Sequence, residues 1–130
     1  MKKKNTIALV STTTSTISSF MLGNIKKLSV HYNLVIFCNN AVSLKKLVPR
    51  KVLLTNINFK RKPNLIAAFI AFCKLVYFLI KNKTNLTISI SPQAGLITSL
   101  SSFVVRVQYR IHWFTGQLCV TEKGFFRFFY

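Results

Sequence analysis

Ser91-Pro92-Gln93-Ala94-Gly95-Leu96 and, further along, Tyr109-Arg110-Ile111-His112-Trp113-Phe114-Thr115-Gly116-Gln117 decide how the rest of this chain is read. Each string ends a short buried strand and opens into a small polar loop. Residues 85–90 are a β-favouring run, closed by the turn chemistry of Ser91 and Pro92. Residues 94–105 are long enough for a crossover helix, and residues 107–112 return as a second strand. Strand, crossover and strand then lie parallel with a right-handed connection. Both polar loops leave the sheet at its carboxyl edge, where open α/β sheets bind ligands. From spacing alone, two ordinary loops and two ligand-binding loops read equally well.

Working outward, the same alternation fills the chain. Residues 6–10 are a short continuous apolar run, as expected of a strand covered on both faces. The hydroxyl-rich residues 11–15 supply a cap for a helix over residues 17–31. Phe20, Ile25, Leu28 and Val30 form its apolar stripe, with Lys26 and Lys27 on the other side. Residues 33–37 and 51–57 read as further strands, with a helical turn over residues 41–47 between them. Pro63 suits the first position of a helix reaching Lys81, and residues 86–90 are the strand that follows. The pattern is that of an α/β, Rossmann-like, doubly wound and mainly parallel sheet.

Composition narrows the function classes. With 51% hydrophobic residues and a mean hydropathy of +0.40, the chain has enough apolar content for a core of its own. There are 19 Lys and Arg against one acid, Glu122, for a net charge of +18. Such an excess calls for an anionic partner, and nucleic acid and anionic lipid both qualify. A single acid leaves no paired-carboxylate glycosidase site, no well-formed Ser-His-Asp triad and no carboxylate site for a hard metal. Cys38, Cys73 and Cys119 are scattered, and His31 and His112 lie far apart, so no zinc-ligand spacing exists. Buried thiols in a reducing compartment are the expectation.

Two stretches imitate targeting signals. Met1-Lys2-Lys3-Lys4 begins like a secretory n-region, but the apolar run after it is cut short by the Ser/Thr cluster. Residues 65–80 are apolar except for Lys74. They fall short of the roughly 20 residues that span a bilayer, and read as a buried or membrane-facing helix.

Ser-Pro-Gln-Ala-Gly-Leu resembles the Thr-Pro-Lys-Ala-Gly-Leu motif of a bacterial branch of the family 4 glycosyltransferases, which build surface polysaccharides. Arg110-Ile111-His112-Trp113-Phe114-Thr115-Gly116-Gln117 and Thr121-Glu122-Lys123-Gly124-Phe125 are similar to the next two signatures of that branch. The resemblance runs in order from Ile7 to Phe125. It implies one half of a GT-B fold: the N-terminal, acceptor-side domain over residues 1–130, truncated near residues 125–130. The C-terminal nucleotide-sugar domain would then be separate, and the four Phe at 125, 126, 128 and 129 would face a missing partner. The enzymes of the branch are retaining and work without a metal. A nucleotide-sugar donor would be held only with the second domain, so no cofactor is expected on this chain, and the chain alone should be inactive.

The resemblance gives His112 the place of a cleft histidine that helps position the transferred sugar. Without it, His112 is a polar strand-end residue with a satisfied hydrogen bond. Ser11, Thr12, Ser91, Gln93, Gly95, Thr115, Gly116 and Gln117 are the candidate substrate-binding residues. Ordinary capping and turn roles are the competing account for each. Gln93 stands where the motif has Lys, which removes a cation expected to meet phosphate. Lys26, Lys27, Lys60, Arg61 and Lys62, with Lys2 to Lys4 and the Lys45-Lys46 pair, suggest a basic surface toward anionic lipid. The branch acts on lipid-linked acceptors, so the implied place is the cytoplasmic, inner face of the plasma membrane, peripherally attached. A separately encoded C-terminal half is the other implied partner. No nucleic-acid motif is evident, and no nucleic acid is expected. The rival reading is a small basic peripheral membrane or nucleic-acid-binding protein that keeps the fold without catalysis.

Overall fold

The apolar runs at residues 6–11 and 33–38, too short for helices, become strands here because neighbours cover both of their faces. The strand at residues 109–113, expected to be buried, is instead largely exposed at the sheet edge. The computed structural model describes residues 5–60 and 64–114. β1 (Thr6–Ser11), β2 (Asn33–Cys38), β3 (Leu53–Asn56), β4 (Thr84–Ile90) and β5 (Tyr109–Trp113) form one sheet in the order β3-β2-β1-β4-β5. Every pairing is parallel. α1 (Thr14–Phe20) and α2 (Leu22–His31) connect β1 to β2, and a 3-10 helix (Ala41–Lys46) precedes β3. α3 (Leu65–Lys81) leads to β4, and α4 (Pro92–Val105) crosses to β5. This is the doubly wound, Rossmann-like α/β arrangement.

Period-two alternation sorts the strand residues between two cores. Ile7, Leu9, Ile36, Ile88 and Ile90 meet Ile17, Ile25 and Leu44 of α1, α2 and the 3-10 helix, and Met21 between the first two. Ala8, Val10, Val35 and Phe37 face the other way, onto Ala71, Leu75 and Leu79 of α3 and onto Ala94 and Ile97 of α4. The Phe37 and Phe78 rings meet edge to face at 5.5 Å between centroids. α4 approaches closely because its inner side is small: Ala94, Gly95, Thr98, Ser101 and Ser102 are all buried. Ser102 Oγ and Thr87 Oγ1 are 3.0 Å apart across that contact.

The structure departs from the sequence expectations where side chains compete for backbone groups. The helix expected over residues 17–31 is two helices, broken at Met21. Its first part is rich in Ser and Thr, whose hydroxyls bond nearby backbone groups, as Ser18 Oγ does with the Ser15 carbonyl at 2.9 Å, and so weaken helix continuity. The buried stripe is Ile17, Met21 and Ile25, while Phe20 and Val30 are exposed. Thr13 occupies the N-cap position of α1 but gives no side-chain cap bond. Its Oγ1 lies 2.8 Å from Thr16 Oγ1 instead.

The last strand begins at Tyr109 and not at Val107, because Arg106 is left-handed and closes α4. Val107 N–H then donates to the Ser102 carbonyl at 2.9 Å, so it serves the helix end. In the same way the turn bond from Val52 N–H to the Pro49 carbonyl, 3.0 Å, uses the first residues expected in β3. Past β3, Asn39 takes the place of a strand residue. Its Nδ2 donates to the Phe59 carbonyl at 2.7 Å and its Oδ1 accepts from Phe59 N–H at 2.6 Å. At the start of β4 a bulge skips Asn85, whose Oδ1 accepts from Thr6 N–H at 3.2 Å.

Candidate site at the carboxyl edge between β1 and β4

The order β3-β2-β1-β4-β5 reverses direction between β1 and β4, since the chain leaves β1 toward β2 and returns on the other side. That reversal opens a crevice at the carboxyl edge of an open sheet. Three segments meet there: residues 11–13 after β1, the β4–α4 junction at Ser91, and the end of β5 at His112.

Ser11 is fully buried, and its hydroxyl donates to the Thr13 carbonyl at 3.1 Å, so it shapes the turn. Thr12 N–H reaches across to Ser91 Oγ at 3.4 Å, a long contact that joins the two loops. Ser91 has φ 109 and ψ 143, a region essentially reserved for glycine that costs a side-chain-bearing residue about 1–3 kcal/mol. The strain turns the chain from the end of β4 directly into α4. Thus the string expected to be a polar loop is helix from Pro92 onward, with Pro92 at the first position. Gln93 is half-buried in that first turn. The first turn of α4 carries no acidic residue, which leaves its positive dipole end uncompensated at the crevice.

Gly95 and His112 explain one another. A Cβ on Gly95 would lie 2.6 Å from His112 Nδ1 and closer still to Cε1. The glycine therefore makes the room in which the imidazole sits against the helix. His112 is held further by Ser89 Oγ, 2.9 Å from Nδ1, and by the edge of the Phe114 ring at 4.4 Å between centroids. Ser89 is buried and has one proton to give. Its other neighbour, the Ile111 carbonyl, is 3.5 Å away. The shorter contact is the better bond. Nδ1 is thereby engaged by Ser89, whichever of the two atoms donates, and Nε2 is the ring nitrogen left for a ligand. No carboxylate side chain exists among the described residues to pair with the imidazole, because the lone acid is Glu122.

Of the residues singled out from sequence, Ser11, Thr12, Ser91, Gln93, Gly95 and His112 come to this edge, Ser11 with its hydroxyl engaged in the turn. Thr115, Gly116 and Gln117 lie outside the described residues, as do Arg61 and Lys62. Lys26 and Lys27 are exposed on α2, and Lys60 is exposed ahead of α3. Those helices cover opposite faces of the sheet, so one flat surface does not meet both groups. Cys38 is buried, and burial pushes its thiol up to about 11. Cys73 is exposed, against the expectation of buried thiols. Ser89 was not among the sequence candidates. Its one signal was a hydroxyl in the buried half of β4, two residues ahead of Ser91.

No protein-family pattern matches the chain, and no curated protein does. Two solved structures of the C-terminal domain of a hydrogenase from Pyrococcus furiosus are similar to it in shape. One superposes with a TM-score of 0.59 at 11% identity, covering 87% of this chain and 94% of that one. The other has a TM-score of 0.58 at 11% identity, covering 86% and 92%. At that identity the likeness is one of fold.

Proposed function

We propose that this chain is the acceptor-side half of a glycosyltransferase, with the β1–β4 crevice holding the polar head of a lipid-linked acceptor. The observation that supports the reading is the interlock of Gly95 with His112. One residue belongs to the Ser-Pro-Gln-Ala-Gly-Leu string and the other to the Arg-Ile-His-Trp-Phe-Thr-Gly-Gln string. Two motifs with a family resemblance thus meet as a single structural unit beside a helix N-terminus. In this reading Nε2–H of His112 donates to a sugar or phosphate oxygen, and Ser89 keeps the ring in the donating tautomer. The Gln93 and Ala94 N–H groups in the first turn of α4, a turn without an acidic residue, and the Ser91 hydroxyl are further polar partners suited to an anion. Donor binding belongs to a second domain, because a nucleotide-sugar diphosphate needs preorganised donors on both sides of a closed cleft.

The test is transfer from a panel of nucleotide-sugars to lipid-diphosphate acceptors, with and without a candidate second half. The expected result is no turnover by this chain alone and restored turnover in trans. His112→Ala should then lower turnover by about 100-fold, the usual scale for losing one preorganised donor, with folding retained. Robust transfer by the chain alone would refute the half-enzyme reading, and unchanged turnover in the His112 variant would remove that residue from the site.

A further inference from the structure

α3 is apolar on every side, interrupted by Lys74 and ended by Lys81. A helix of that kind belongs in an interior, yet only Ala71, Leu75 and Leu79 are buried against the sheet. The opposite side is open: Leu65 is 88% exposed, Ile66 75% and Phe69 66%, with Ile70, Tyr77 and Ile80 also exposed. α4 lies beside it on the same face of the sheet and adds Leu96, Leu100, Phe103 and Val104, all exposed. A contiguous apolar surface of this extent marks an interaction site.

The charges around it select the occupant. Lys60 and Lys74 line a shallow groove of ≈ 250 Å³ with Ile66 and Ile70 on the flank of α3. Lys81 closes the far end of the helix, its ammonium 5.7 Å from the Tyr77 ring, and Arg106 ends α4. An apolar stripe edged by long cationic side chains is the pattern of a helix lying in a lipid interface, with the cations reaching back to phosphate. A second copy would bring another +18 against the first, so like charge opposes a dimer through this face. No helix among the described residues is long and apolar enough to cross a membrane.

We infer that the outer face of α3 and α4 docks on an anionic bilayer, with α3 in the plane of the interface. The lipid groove between Lys60 and Lys74 takes a headgroup phosphate, and the face deepens the lipid-acceptor reading by saying which side of the molecule meets the membrane. α2 lies beyond the sheet from this face, farther than one helix diameter of about 10 Å. That exceeds the Debye length of about 8 Å, so Lys26 and Lys27 contribute little.

The experiment is flotation of the purified full chain with phosphatidylcholine vesicles, with and without phosphatidylglycerol. No sugar donor or acceptor is present, so its failure is distinguishable from failure of the transfer reading. Binding should require phosphatidylglycerol. Ile66→Ser with Phe69→Ser should cut partitioning by about tenfold per side chain, the scale of burying one large apolar group. Lys60→Gln with Lys74→Gln should lower it severalfold per lysine, and Lys26→Gln with Lys27→Gln should change it less than either. A polarity-sensitive dye on Cys73, which is exposed on α3, reports the face without altering it (Cys119→Ser background). Its emission should shift to the blue on vesicle binding. A water-like emission from bound chain, or wild-type partitioning by the Ile66/Phe69 variant, would overturn the proposal. So would a wild-type dimer made monomeric by that variant, or binding to nucleic acid that the same variant abolishes.

Discussion

Gly95→Ala places the heaviest demand on the geometry of the carboxyl edge. In an ordinary helix position this change stabilises by up to about 1 kcal/mol, because glycine is a poor helix former. Here the added methyl meets the His112 ring at 2.6 Å from Nδ1. The imidazole cannot stay, so its bond to Ser89 at 2.9 Å is lost or distorted. That costs about 0.5–1.5 kcal/mol for the hydrogen bond, and overpacking adds roughly 1–3 kcal/mol. The helix gain offsets only part, leaving the variant less stable by about 1–3 kcal/mol. In a His112→Ala background the obstacle is gone, and the same substitution should stabilise by about 0.5–1 kcal/mol. The change of sign is a coupling of about 2–4 kcal/mol between two residues far apart in sequence. Urea denaturation of the four proteins followed by circular dichroism measures it, with the slope checked for constancy. Additive effects, or Gly95→Ala stabilising in the wild-type background, would refute the contact and with it the union of the two motifs.

Ser91→Gly should raise stability by about 1 kcal/mol by releasing the strain at φ 109, whereas Ser91→Ala, which keeps the strain and loses the contact to Thr12 N–H, should not; a fall in stability for the glycine variant would show that the conformation is unstrained. The buried Cys38 thiol, raised from 9.0 to about 11, holds its proton in the folded chain where the unfolded chain has lost it. Its contribution is therefore complete below about pH 9 and is lost as pH rises toward 11, amounting to about 3 kcal/mol at most. Stability-versus-pH curves for the wild type and Cys38→Ala should converge over that window, and parallel curves would contradict the assignment. In native protein a thiol reagent should label Cys73 and spare Cys38, and equal labelling of both would do the same.

The local signals in this chain were strong because they are short-range. Buried parallel strands need unbroken apolar runs, so residues 6–10 and 33–37 declared themselves, and β1 and β2 extend each by one residue. The crossover helix was legible from the length of residues 94–105, but its start was not: Pro92, read as turn chemistry, is already the first residue of α4. Net charge of +18 and the lone Glu122 are facts of sequence alone, and they leave no paired-carboxylate site on these residues before any fold is known. Element ends were less legible, since Met21, Val107 and Val52 are claimed by competing hydrogen bonds that no periodicity reveals.

Tertiary structure decided what depends on approach between distant segments. Strand order set β1 beside β4 and so created the crevice. Only packing shows that Gly95 exists to admit His112, that buried Ser89 orients the ring, and that Ser91 pays for the turn in backbone strain. The same holds for the surface. A run of apolar residues from 65 to 80 reads alike whether one side or both are covered, and the sheet buries just one. Side-chain period and charge are written residue by residue, but burial is a property of what comes to lie opposite, and in a parallel sheet that neighbour arrives from a remote part of the chain.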